Sequence, residues 1–135
     1  MEEKYILTGV VVRGNQLGHT IGFPTANLIP GKDKILPIKQ GVYAVRVKVQ
    51  KNIFNGMANF GIRPTLDQHD LIIEAHLFDF SDDLYDKSIT IFFYDFIREE
   101  QKFSGLDELK SQLEKDKITI RNILSNRMQP DPDTQ

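Results

Sequence analysis

Residues Ser88–Arg98 read Ser-Ile-Thr-Ile-Phe-Phe-Tyr-Asp-Phe-Ile-Arg, a run in which apolar and aromatic side chains dominate. Its β-branched and aromatic residues fit a strand, and its apolar side chains fall on both faces of that strand. Such a strand is expected to be covered on both sides. Working outward, Gly41–Val49 places Tyr43, Val45, Val47 and Val49 on one face, with Arg46 and Lys48 on the other. Leu71–Asp79 alternates Leu71, Ile73, Ala75 and Leu77 with Ile72, Glu74, His76 and Phe78. Tyr5–Arg13 is also β-rich, and a weaker strand is expected in Ile53–Asn59, interrupted by Gly56.

Turn chemistry separates these runs at Pro30-Gly31, at Gly61 with Pro64, and at Ser81-Asp82-Asp83. Ser104-Gly-Leu-Asp107 is a capping-box variant that predicts a helix start. Leu106, Leu109 and Leu113 then form an apolar stripe, and Ile120 and Leu124 continue a second helical stretch. Residues 129–135 hold two prolines and two aspartates with no apolar anchor, and a disordered tail is expected there. Short strands followed by helix predict an antiparallel barrel or sandwich with a C-terminal helical cap.

The chain has 135 residues, enough for one domain that needs no staples, and it contains no cysteine. Disulfides and thiolate zinc sites are thereby excluded, and the composition fits a reducing compartment. A formal charge of −2 argues against a dedicated polyanion binder. No apolar run approaches the ~18 residues of a membrane span. The opening Met-Glu-Glu-Lys lacks the regions of a secretory signal. These readings lead to the expectation of a cytoplasmic protein with neither nucleic acid nor membrane as partner.

Gly22-Phe-Pro-Thr-Ala-Asn27 combines a glycine-rich approach with a stiff turn. Pro24 fixes its own φ and pushes Phe23 towards an extended conformation. If Thr25 and Ala26 continue as a strand, the side chains of Thr25 and Asn27 share a face, and their neutral oxygens suit a hard cation such as Mg²⁺. Both could equally be turn formers that bond the local backbone. Upstream, Gly14-Asn-Gln-Leu-Gly18-His19-Thr20 falls one residue short of Walker A spacing and has His where that motif needs Lys. An ordinary mobile loop is the commoner meaning of such a stretch. Glu74 is either paired, solvent-facing or functional, and a solvated outer face is the usual outcome. The histidines lack metal spacing, and no Gly-x-Ser-x-Gly elbow supplies a nucleophile. Arg98–Phe103 reads either as a charged connector or as the wall of a pocket under the helix.

Together these features resemble the riboflavin kinase family. The resemblance rests on Thr8-Gly9-Val10-Val11, Gly14, Gly18, Gly22–Asn27, Gly41-Val-Tyr-Ala44 and Asn59-Phe-Gly61-Ile-Arg63-Pro64-Thr65. It continues through Glu74, Tyr85 and Phe96–Phe103 in family order, covering about Tyr5 to Asp116. It implies a mainly β, closed antiparallel Greek-key β-barrel with a C-terminal helix, occupying residues 1–128 before the tail. It implies ATP and riboflavin as substrates, FMN and ADP as products, and Mg²⁺ as the metal. By resemblance Glu74 is the catalytic base, and Thr25 and Asn27 hold the metal and nucleotide phosphates. Gly14, Gly18, His19 and Gly22 form a flap over ATP, and Tyr85 lies near the nucleotide. Arg98, Glu100 and Phe103 border the flavin, and Asn59–Thr65 opens a second mobile loop.

Two departures stand out. His19 replaces the usual Arg or Lys, removing a permanent positive charge, and Asp86 follows Tyr85 where relatives commonly have Gly. Bacterial members are usually half of a bifunctional enzyme with an FMN adenylyltransferase domain. This chain shows no motif of that second domain, so an excised domain and a stand-alone kinase are both open. Rival readings are a non-catalytic flavin- or nucleotide-binding barrel and an oligonucleotide-binding barrel, the latter disfavoured by charge.

Overall fold

A computed structural model describes residues 5–13, 22–30, 38–64 and 69–130. Its strands are β1 (Tyr5–Val10), β2 (Ala26–Leu28), β3 (Gly41–Val49), β4 (Asn52–Pro64), β5 (His69–Leu77) and β6 (Ser88–Arg98). One helix, α1 (Leu106–Leu124), follows. The strands form one six-stranded antiparallel sheet in the order β1-β6-β3-β4-β5-β2.

Ser88–Arg98 is covered on both sides, as its composition requires. Ile89, Ile91 and Phe93 enter a cluster on the concave side with Val45, Val47, Ile73, Ala75 and Leu28. Phe92 and Tyr94 enter a second cluster with Phe23, Met57, Phe78, Ile120 and Leu124 of the helix layer. The sheet is therefore the middle of the molecule, with apolar packing inside its curve and α1 on its outer face.

The expected closed barrel is corrected to an open half-barrel. Among the described residues β1 and β2 are the two sheet edges, and a single bridge between Val12 and Asn27 spans them. The Val12 N–H donates to the Asn27 carbonyl at 2.8 Å. All three residues of β2 pair with β5, and so short an edge strand offers too few rungs to complete a closing ladder.

Two local expectations also change. The strand expected to end near Asn59 runs on through Gly61 to Pro64, so these residues are ladder rather than turn or loop. Cross-strand pairing with β5 outweighs the local turn signal. Thr65 lies outside the described residues. The two helical stretches form one helix, whose N-cap is Gly105 rather than Ser104, without a side-chain cap. The Ser104 hydroxyl instead donates to the Glu108 carboxylate. Asp107 and Glu108 in the first turn and Arg121 in the last complement the helix dipole.

Two buried polar anchors hold α1 on the sheet. Arg46, only 3% exposed on the outer face of β3, donates to the Leu124, Arg127 and Met128 carbonyls at 2.6, 3.0 and 2.7 Å. Its Nε donates to Asn55 Oδ1 at 3.1 Å. Carbonyls at and beyond a helix C-terminus lack intrahelical donors, and a guanidinium fork satisfies several at once. Nearer the N-terminus, buried Asp116 on the apolar stripe of α1 accepts from Arg98 Nη2 at 2.8 Å and from Gln112 Nε2 at 2.9 Å. Between the first turns of α1 and the sheet, a slot remains open.

Candidate functional site

The Gly22–Asn27 segment turns from a left-handed residue, Gly22 at φ +86°, into β2. An L side chain rarely adopts that φ, so glycine suits the position. Phe23 is buried in the outer cluster and Ala26 in the inner one, so the segment is tied down from both faces of the sheet. A further tie comes from β5, where His76 Nδ1–H donates to the Pro24 carbonyl at 2.8 Å. A carbonyl can only accept, so this bond places the neutral ring's proton on Nδ1. Burial, aided by the charge of Lys117, pushes the His76 pKa below its ordinary value, and the Pro24 bond opposes that shift.

Thr25, half-buried just before β2, lines two cavities. One, of about 360 Å³, is bordered by Val11–Arg13, Pro24–Asn27, Ala75, Leu77 and Phe80–Tyr85. The other, of about 300 Å³, lies in the slot under α1 and is bordered by Glu74, His76, Asn59, Arg98, Glu100, Phe103 and Leu113, among others. The first has a charged and polar rim. The second has aromatic and aliphatic walls with a few carboxylate and amide groups, the usual make-up of a small-molecule site.

Strand register puts three polar side chains in a row at this junction. Asn27 of β2 pairs with Glu74 of β5, and Glu74 pairs with Asn59 of β4. Directly paired residues project to the same face with Cβ atoms ~4.5–5.5 Å apart. Glu74 is half-buried, so the commoner outcome of a fully solvated face does not hold. Oδ1 of Asn27 and Oδ1 of Asn59 are both buried without a hydrogen-bond partner. Buried acceptors are normally satisfied, so two orphans flanking one carboxylate mark a place prepared for donors or a cation.

Of the flavin-side candidates, Arg98, Glu100 and Phe103 all line the slot. Arg98 is largely occupied in structure: Nε and Nη2 grip Asp116, Nη1 donates to the Glu99 carbonyl at 3.1 Å, and the guanidinium lies 6.0 Å from the Phe103 ring. Tyr85 is 44% exposed at the rim of the other cavity, with the Arg13 guanidinium 4.0 Å from its ring centroid. Asp86 sits at φ +69°, a left-handed turn position that glycine adopts freely and Asp tolerates better than most residues. Gly14, Gly18 and His19 lie outside the described residues.

Among the residues singled out in the sequence, Thr25, Asn27, Glu74, Arg98, Glu100, Phe103 and Tyr85 thus line the two cavities that Thr25 borders. Sequence reasoning assigned no site role to Asn59 or Arg13. Asn59 carried a signal, since an amide in an apolar strand four residues before Arg63-Pro64 needs a partner. Arg13 carried none. Among the described residues no group of three or more His, Cys, Asp or Glu side chains could hold a metal, and no helix is long and apolar enough to cross a membrane.

Comparison with known proteins bears on this geometry. Residues 1–124 match the family model described as "Flavokinase: Riboflavin kinase". Over 123 residues the chain is 48% identical to a bifunctional riboflavin kinase/FMN adenylyltransferase of Haemophilus influenzae, covering 90% of this chain and 39% of that protein. It therefore spans about two fifths of that relative's length. The crystal structure of riboflavin kinase from Trypanosoma brucei matches with TM-score 0.67 and 28% identity, covering 90% of this chain and 80% of that one. A Streptococcus pneumoniae structure described as a macrolide-efflux protein matches with TM-score 0.78 and 38% identity, over 87% of this chain and 38% of that one.

Proposed function

The chain belongs to the riboflavin kinase family, and we propose that it transfers the terminal phosphoryl group of ATP to the 5′-hydroxyl of riboflavin, giving FMN and ADP. The observation that carries this reading is Thr25 as a border of two cavities, one with a charged and polar rim and one with aromatic and aliphatic walls, with Glu74 paired across from Asn27. A nucleotide in the first and a tricyclic ring in the second would meet there.

Phosphoryl transfer depends on positioning and on neutralising charge spread over the transferring oxygens. Glu74 would accept the proton of the ribityl 5′-hydroxyl as its oxygen bonds to the γ-phosphorus and the bond to the ADP oxygen breaks. The hydrogen bond of His76 to Pro24 holds the Thr25 corner against β5, which fixes the approach of the two substrates. Phe103, Leu109 and Leu113 would cover the ring and exclude water. Arg98 would act through Asp116 and Phe103, setting the height of α1 over the slot.

The buried orphan Oδ1 of Asn27 and the adjacent Thr25 hydroxyl fit a hard cation that draws its remaining oxygens from phosphate and water. We assign Mg²⁺ to these two residues, where it would supply charge neutralisation to the nucleotide phosphates. Gly14, Gly18, His19 and Gly22 would bind ATP, with Tyr85 beside the nucleotide. Residues 1–128 would act as the kinase unit, and the cysteine-free composition suits a cytoplasmic setting.

The direct test incubates the protein with riboflavin, ATP and Mg²⁺ and separates flavins chromatographically. Stoichiometric FMN and ADP support the proposal. Flavin binding without ATP consumption would leave a non-catalytic flavin barrel instead.

A further inference from the structure

Asn59 sits beside the proposed base and has one half of its amide already committed. Its Nδ2 donates to Glu100 Oε2 at 2.9 Å. Only the amide nitrogen can donate to a carboxylate, so this bond fixes which way round the side chain stands. The Glu100 carboxylate in turn rests on Gly61, where the Cβ of any other residue would collide with it. Glycine there leaves room for a side chain reaching over from beyond β6. Oδ1 of Asn59 is thereby held as a buried acceptor with no donor, in the wall of the slot that also contains Glu74.

The register identifies what that acceptor would meet. Asn59 and Glu74 are directly paired, so their side-chain oxygens are spaced for neighbouring groups on one small molecule rather than for its two ends. Resting on the kinase reading above, we infer that Asn59 is a specificity-determining residue, whose Oδ1 accepts a hydrogen bond from the acceptor hydroxyl one carbon away from the one phosphorylated. The site then selects a vicinal diol at the chain terminus, not merely a primary alcohol. Glu100 and Gly61 position the amide for that task. Without the second hydroxyl, the buried oxygen stays unpaired in the bound state, and sites built this way discriminate against analogues lacking the group.

The experiment compares kcat/KM for riboflavin and for 4′-deoxyriboflavin in the wild-type protein and in Asn59→Ala. The wild type should prefer riboflavin by ~10-fold or more, the scale of one neutral hydrogen bond with its desolvation. Asn59→Ala should lose most of that preference, chiefly through riboflavin's kcat/KM, with the deoxy substrate little affected. An equal loss on both substrates overturns the inference, because a purely structural asparagine would produce it. Gly61→Ala provides a second variant, displacing the Glu100 carboxylate while leaving Asn59 intact. It should weaken the same preference, and unchanged discrimination in a folded Gly61→Ala protein counts against the positioned amide. Failure of the wild type to form any FMN sinks the kinase reading itself and this inference with it.

Discussion

The two ends of the seam between the sheet and α1 treat buried polar groups in opposite ways. At the C-terminal end, Arg46 is buried and its guanidinium donates to three main-chain carbonyls and to Asn55. At the N-terminal end, Asn27 and Asn59 each keep a buried oxygen with no partner, on either side of Glu74. The first arrangement is complete within the chain and holds the helix in place. The second is incomplete within the chain, and a buried acceptor left unpaired costs about 1–3 kcal/mol. Such a cost persists where a ligand removes it. Polar satisfaction thus separates scaffold from site more clearly than burial does.

The contrast breaks most sharply at Glu74. Glu74→Gln should lower FMN formation by ~10²–10⁴, the scale of a general base, with ATP affinity and thermal midpoint little changed. Near-normal turnover would remove the open end of the seam from the chemistry. Arg46→Met at the closed end should behave conversely. Losing the charge-assisted bonds to the helix-end carbonyls and to Asn55 should reduce stability by about 3 kcal/mol, read by denaturant unfolding, while kcat per folded molecule stays close to wild type. A large kcat loss in fully folded protein would show that the two ends are not separable.

Thr25→Ala tests the junction of the cavities. It should raise the Mg²⁺ concentration needed for half-maximal rate by roughly 10-fold, the order expected for losing one neutral ligand interaction. An unchanged metal titration would assign the cation elsewhere. The smallest effect concerns His76, which ties Pro24 to β5. Its folded pKa is depressed by burial, so the neutral form is favoured in the native state. The stability it contributes is present above the unfolded pKa of about 6.5 and is lost as pH falls below it. The thermal midpoint of wild type should therefore drop more between pH 7 and 5 than that of His76→Gln. Parallel pH curves would mean that this ring does not hold the corner.

Much of the fold was legible along the chain. The two-sided apolar run of Ser88–Arg98 required a covered strand, and it received the inner cluster on one face and Ile120 and Leu124 on the other. Closure of the barrel was not legible, because it depends on how many rungs β2 can offer, and three residues are consumed by β5. The extent of β4 through Gly61 and Pro64 was misread for a related reason, since turn-favouring residues yield to a paired strand. The role of Arg46 was equally hidden: alternation put it opposite Val45 and Val47, but not against a helix end.

The alternating strands, the helical stripe and the chemistry of the Gly22–Asn27 corner could be read from the chain, because periodicity and turn chemistry are local properties. That Asn27, Glu74 and Asn59 stand in one row, and that Thr25 borders both cavities, came from folding alone. Those facts depend on the register of strands distant in sequence, and register is set by which apolar faces must be buried together.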